Sequence, residues 1–267
     1  NMKYDCIASF GCSFIYGSAI EDKENNFLGP KYRASKLLAD HFGVPEVCYA
    51  EPGMGNESIF RSIYKFFKET KYENPFIFIG LSGITRKEIY SMSEERFYDL
   101  HLFQNWAKHD FEVTNITNKL FKKNTDVSEF KSYVKTWEKY FFHLESEQEK
   151  LEWQMLFLDG FLKSKNINYV VFNSLQDNIK NIKNQVKYLA FDVNNDIKFN
   201  DISKVEDCWY HKLRVDHYLN ISKDFNDNTH RSGIHPFGRY FCTGHPSPGA
   251  NEDLLKLILT YIDENYS

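Results

Sequence analysis

Apolar positions along the chain switch between short unbroken runs and helical spacings, and that switching predicts a layered α/β fold. The stretch from Tyr4 to Phe10 has β-strand character, and Pro75–Leu81 (Pro-Phe-Ile-Phe-Ile-Gly-Leu) is the strongest strand in the chain. An uninterrupted apolar run of that kind suits a strand covered on both faces, as in a parallel sheet. Glu46–Ala50 and Ile167–Asn173 read as two further strands. Between them the period changes. Lys31–Phe42 places Ala34, Leu37, Leu38 and Phe42 on one helical face, and Gly43-Val44-Pro45 stops it. Asn56 reads as the N-cap of a helix carrying Ile59, Phe60, Ile63, Tyr64 and Phe67. From Thr85 to about Lys165 the pattern is helical and rich in aromatics, and it ends in a core stripe of Leu151, Met155, Leu158 and Leu162. Residues 176–240 are polar, with no clear period. Ser247 as N-cap and Pro248 at the first helical position open a last helix with Leu254, Leu255, Ile258 and Ile262.

Strands alternating with helices predict a three-layer α/β/α sandwich around a mostly parallel sheet. The expected organisation is one domain over residues 2–267, with Met2 as the natural start and a helical insertion at about 85–150. In such a fold ligands bind beyond the carboxyl ends of the strands. Three suggestive turns fall there: Gly11–Gly17, Gly53–Asn56 and Gly80–Arg86.

Composition narrows the function classes. With 267 residues, 42% of them apolar and 17% aromatic, the chain can bury a full core and is globular rather than disordered. Its 33 basic and 37 acidic residues leave a net charge of −4 with no basic field, which argues against nucleic acid as the main partner. The five cysteines are odd in number and include no C-x-x-C pair, which favours a reducing compartment over a disulfide framework. Ile7–Phe10 is too short for the apolar region of a signal peptide, and no segment approaches a membrane span. No membrane partner is expected, and the location reads as cytoplasmic, or virion-associated if the source is viral. The pattern sets no oligomeric state.

Acyl transfer needs a nucleophile, a base and donors aimed at the developing oxyanion. Residues 9–17 read Ser-Phe-Gly-Cys-Ser-Phe-Ile-Tyr-Gly, which holds Ser13 between glycines at the exit of the first strand. His245-Pro246 stands just ahead of the last helix, and imidazole titrates near neutral pH. Gly55 can offer a backbone N–H at a helix N-terminus, where the dipole favours negative charge. Each also has a plainer reading: a turn serine, a histidine packed on the last helix, a glycine in a tight turn. His235-Pro236 is a second His-Pro pair, so His235 is an alternative base. His211, His217 and His230 match no recognised metal cage, and no metal or cofactor is expected. Trp137, Tyr140, Phe141 and Trp153 read as core or interface rather than a stacking platform.

In block order the chain resembles the SGNH (GDSL-type) hydrolase superfamily, whose phage-encoded members often carry a Gly-Cys-Ser-Phe first block. Phe10–Gly17 resembles the first block, Ala50–Ser58 the second, Phe78–Arg86 the third and Cys242–Leu254 the fifth. The resemblance implies a flavodoxin-like SGNH hydrolase fold, Ser13 as nucleophile and His245 as base. It further implies an oxyanion hole from the N–H groups of Ser13 and Gly55, with Ser82 in the slot of the third-block asparagine. The implied substrate is a small acyl ester, O-acetyl on a carbohydrate being the leading case, and no cofactor. Three positions depart from the family. Cys12 replaces the aspartate of Gly-Asp-Ser, Ser82 has a shorter arm than asparagine, and Cys242 stands where the family places the aspartate that orients the histidine. A thiol is a poor acceptor for an imidazole N–H. A backbone carbonyl or an Asp from 201–227 takes that role, or Ser13 and His245 work as a dyad, or activity is gone. Two other classes stay open: a silent SGNH-fold binding or structural protein, as in a virion, and a flavodoxin-like nucleotide binder. The second lacks both G-x-x-x-x-G-K-[ST] and a G-x-G-x-x-G after a strand.

Overall fold

The computed structural model describes residues 3–21, 26–91, 95–101, 127–175, 179–191, 208, 209, 212, 241, 242 and 245–266. In chain order, strand β1 (Cys6–Phe10) leads to helices α1 (Ser13–Tyr16), α2 (Gly29–Tyr32) and α3 (Ala34–Phe42). Strand β2 (Glu46–Cys48), helix α4 (Asn56–Glu69) and strand β3 (Pro75–Leu81) follow. Next come a hairpin of β4 (Arg86–Ser91) and β5 (Arg96–His101), helices α5 (Val127–Tyr140) and α6 (Leu144–Ser164), and strand β6 (Tyr169–Asn173). The short strands β7 (Phe241–Cys242) and β8 (His245–Pro246) precede helix α7 (Pro248–Tyr266).

The central sheet is parallel, in the order β2-β1-β3-β6. Every residue of β1, β3 and β6 is buried, which requires cover on both faces because successive side chains point to opposite sides. On one face Phe10 meets Phe66 of α4, ring centroids 5.9 Å apart. On the other, Phe76 meets Tyr266 of α7 at 6.3 Å, beside α3, which packs on both α7 and β1. These are the three layers expected from the alternation of elements. The strand order reverses direction between β1 and β3, so the crevice at their carboxyl ends is the place where such sheets take ligands.

Several local expectations need correction. The single helix expected over Lys31–Phe42 is two, broken at Arg33, whose backbone is extended (φ −67°, ψ 146°). From there the buried guanidinium grips Glu46 of the edge strand through two bonds of 2.8 and 2.7 Å, and the Ser35 hydroxyl donates to the same carboxylate at 2.6 Å. That strand stops at Cys48, short of the expected Ala50. The helical pattern expected from Thr85 opens instead as the β4–β5 hairpin, where Tyr90 faces Phe97 across the ladder with centroids 4.9 Å apart. Cross-strand ring packing of that kind stabilises a hairpin that local helical spacing does not reveal. Tyr140, Phe141 and Trp153 are 66%, 68% and 47% exposed, so they are not core. The polar 176–240 stretch does contribute to the core through Ile179, Ile182, Val186, Leu189, Phe191 and Trp209. Ser247 caps α7 as expected, its hydroxyl accepting the Ala250 N–H at 3.3 Å.

Candidate active site

Ser13 is the first residue of α1, at the carboxyl end of β1, and is 8% exposed. As the opening residue of a helix its N–H has no intrahelical acceptor. The turn is held from beneath by Ile15, which packs where Gly11 and Gly80 leave room: a Cβ on Gly80 would lie 2.4 Å from Ile15 Cδ1. It is held from above by Phe14, which meets Trp209 edge-on at 6.0 Å and the His245 ring at 5.5 Å. His245 thus arrives beside the Ser13 turn from the far end of the chain. It is half-buried, on β8, and its backbone pairs with Cys242 in the β7–β8 ladder. Among the described residues no hydrogen bond joins the Ser13 hydroxyl to this imidazole. His235 and the 201–227 carboxylates, the alternative base and the alternative orienting acids, lie outside the described residues, as do His211, His217 and His230.

The second and third turns are locked together by a side chain assigned a different task. Asn56 is not the N-cap of α4; Gly55 is. Asn56 is the first helical residue, and its buried amide bridges to Ser82, accepting the Ser82 N–H at 2.8 Å and donating to the Ser82 carbonyl at 3.1 Å. Both backbone groups of a fully buried residue are thereby satisfied. Arg86 adds a second tie, donating to Ser82 Oγ at 2.7 Å and to the Met54 carbonyl at 3.2 Å.

The hairpin covers the end of α4. The Gly55 N–H donates to Asp99 Oδ1 at 2.9 Å, and the Ser58 hydroxyl lies between that oxygen, at 2.9 Å, and Glu88 Oε1, at 2.6 Å, sharing its one proton with them. The helix dipole favours a carboxylate there, and Gly55 itself has no side chain with which to cap. A Cβ at position 55 would crowd Asp99 Oδ1 at 2.8 Å and the Arg86 carbonyl at 3.0 Å. Burial pushes the Asp99 carboxyl up to about 6, against the bonds from Ser58 and Gly55, with Glu88 adding to the rise and Arg61 opposing it. Arg61 also binds Glu88 at 2.7 Å and lies over the Phe97 ring at 4.2 Å. Glu57, paired with Lys150 and Lys87, accepts the Glu88 N–H. Burial alone would raise the Glu57 carboxyl, but those partners hold it below the ordinary carboxylate value.

Of the expected oxyanion donors, the Gly55 N–H therefore faces an intramolecular carboxylate, and Ser82 is wholly buried with its oxygen accepting from Arg86. Sequence reasoning missed Asp99, Arg86 and the Asn56 bridge. Among the described residues no cluster of His, Cys, Asp and Glu could hold a metal ion, and no helix is long and apolar enough to cross a membrane.

No protein-family model and no curated protein matches the chain. Among solved structures, a psychrotrophic esterase, EstA from Pseudoalteromonas sp., inhibited by monoethylphosphonate, aligns over 97% of each chain. The identity is 10% and the TM-score 0.42, a likeness too distant to bear on chemistry.

Proposed function

We propose that the chain is a serine esterase of SGNH type that removes a small acyl group, O-acetyl on a carbohydrate being the leading case, through an acyl-enzyme on Ser13. The observation that carries this is the meeting of Phe14 and His245, which brings an imidazole to the serine turn at the switch point of a parallel sheet. In the proposed cycle Ser13 Oγ attacks the acyl carbon, His245 takes the hydroxyl proton and returns it to the leaving alcohol, and water then releases the acid by the same route. The Ser13 N–H serves as one oxyanion donor. The Gly55 N–H serves as the second once Asp99 is displaced, since it already donates to a carboxyl oxygen.

Hydrolysis of p-nitrophenyl acetate tests the proposal. Wild type is expected to exceed background, Ser13→Ala to fall to background, and Asp99→Ala to turn over faster than wild type. Equal rates for wild type and Ser13→Ala contradict it. One observation favours a second reading, a silent binding or structural protein: the carboxylate on Gly55 stands where an enzyme of this type needs an open donor. That protein would show no Ser13-dependent rate in either background.

A further inference from the structure

Arg86 opens β4 just after β3 ends, and it is half-buried. Its Nη1 donates to Ser82 Oγ of the third turn and to the Met54 carbonyl of the second, so the guanidinium lies between the two. The second turn is tied in its own right to the serine turn, through the Glu51 N–H and the Gly11 carbonyl at 3.2 Å. Arg86 thus belongs to the same cluster of turns as Ser13. Two properties set it apart from a purely structural tie. Its Nε and Nη2 have no partner among the described residues, and among them it forms no ion pair. Asp99, which flanks Gly55 as Arg86 does, meets Gly55 and Ser58 instead. The cations that join α4, the hairpin and α6 are each held by a carboxylate: Arg61 by Glu88, Lys87 by Glu57 and Glu147, Lys150 by Glu57. A link between two neutral oxygens needs a donor but no charge, and a half-buried charge without a counter-ion is costly. The edge left over is the one that takes anions. With the same Nε and Nη2 edge Arg33 grips both oxygens of Glu46, at 2.8 and 2.7 Å.

We propose that Arg86 selects the substrate, its Nε and Nη2 edge taking an acidic group, carboxylate or phosphate, on the carbohydrate that carries the ester. The inference rests on the reading of this crevice as the ester site, and it narrows the substrate class to esters of acidic sugars. A group with two anionic oxygens matches the guanidinium fork in two parallel bonds, as Glu46 does on Arg33. The clamp on Nη1 fixes the plane of the fork in advance, so binding orders little of the side chain. Arg86 touches the substrate away from the reacting atoms: it sets preference and moves no proton.

Calorimetric titration of the Ser13→Ala chain tests it, because binding there needs no turnover. The probes are glucuronate and glucose 6-phosphate, with glucose as the neutral control. At least one anion is expected to bind about tenfold or more tightly than glucose, and to weaken as salt is added. Which of the two binds identifies the acidic group. Adding Arg86→Gln is expected to erase the preference. Arg86→Lys keeps the charge without the fork and is expected to retain only part of it. Thermal melts check that each variant is folded, and Arg86→Lys decides if Arg86→Gln is not. Neither anion binding better than glucose, a preference that survives Arg86→Gln, or a full preference in Arg86→Lys would overturn the proposal. Anion binding that depends on Arg86 in a chain with no Ser13-dependent esterase rate would uphold this site and remove the esterase reading. An active esterase with no anion preference would do the reverse.

Discussion

Gly55 and Asp99, 44 residues apart, are joined by a 2.9 Å hydrogen bond from a helix-terminal N–H to a half-buried carboxyl group. The bond fastens the β4–β5 hairpin over the start of α4, and it does so with a group that the fold prefers uncharged. That preference fixes the sign of a pH effect.

The Asp99 carboxyl titrates at about 6 in the folded chain, above its unfolded value of about 3.9. Its contribution to stability is whole below about pH 4, falls as pH rises through 6, and is absent above. Asp99→Asn keeps an acceptor for Gly55 and removes the charge. The stability of this variant relative to wild type is expected to rise by about 1–3 kcal/mol between pH 4 and pH 7.5, measured by urea unfolding. A difference that stays flat across that range would show that the carboxylate is not held as described.

Asn56 satisfies both backbone groups of Ser82, so Asn56→Ala leaves a buried N–H and a buried carbonyl without those partners. Each orphaned group costs about 1–3 kcal/mol, and an overall loss of about 2–4 kcal/mol is expected in urea unfolding. A loss under about 0.5 kcal/mol, the level of an ordinary surface change, would contradict the bridge.

Gly80 and Ile15 form a second coupled pair. Gly80→Ala drives a methyl group to 2.4 Å from Ile15 Cδ1, and overpacking of this kind costs about 1–3 kcal/mol. Ile15→Ala alone costs about 2–5 kcal/mol as a cavity. In the double variant the clash and part of the cavity cancel, so the combined loss is expected to fall short of the sum by at least about 1 kcal/mol. Simple additivity would mean that the serine turn does not rest on this contact.

The parts of this architecture that the sequence makes plain are those governed by burial on both faces. β1, β3 and β6 are largely apolar, Ser9 and Asn173 apart, because every side chain is covered, and the stripe of α6 shows because one of its sides meets the core. The Ser13 turn stands out because it follows directly on β1, and His245 because it stands just ahead of the apolar stripe of α7. The hairpin is different. Its strands mix Lys87, Glu88 and Asp99 with Ile89, Tyr90, Phe97 and Tyr98, and in so aromatic a stretch helical spacings arise by chance. What holds it is cross-strand pairing and charge contacts with α4, neither of which is local. Asp99 could not be recognised without the hairpin that carries it. Asn56 misleads in a simpler way: an asparagine at a helix start has a good local use as an N-cap, and its amide is taken instead by Ser82.

The central claim is that Ser13 is a nucleophile activated by His245, and a fluorophosphonate probe tests it most directly. The probe needs no knowledge of the natural ester, because an activated serine attacks phosphorus and stays covalently bound. Intact-mass and peptide analysis are expected to find one adduct, on Ser13, in wild type. The adduct should be absent from Ser13→Ala, form much more slowly in His245→Ala, and form faster in Asp99→Ala, where the Gly55 N–H is released. A wild-type chain that takes up no label at Ser13, and an Asp99→Ala chain that takes up none either, would contradict the account and leave the silent binding protein in its place.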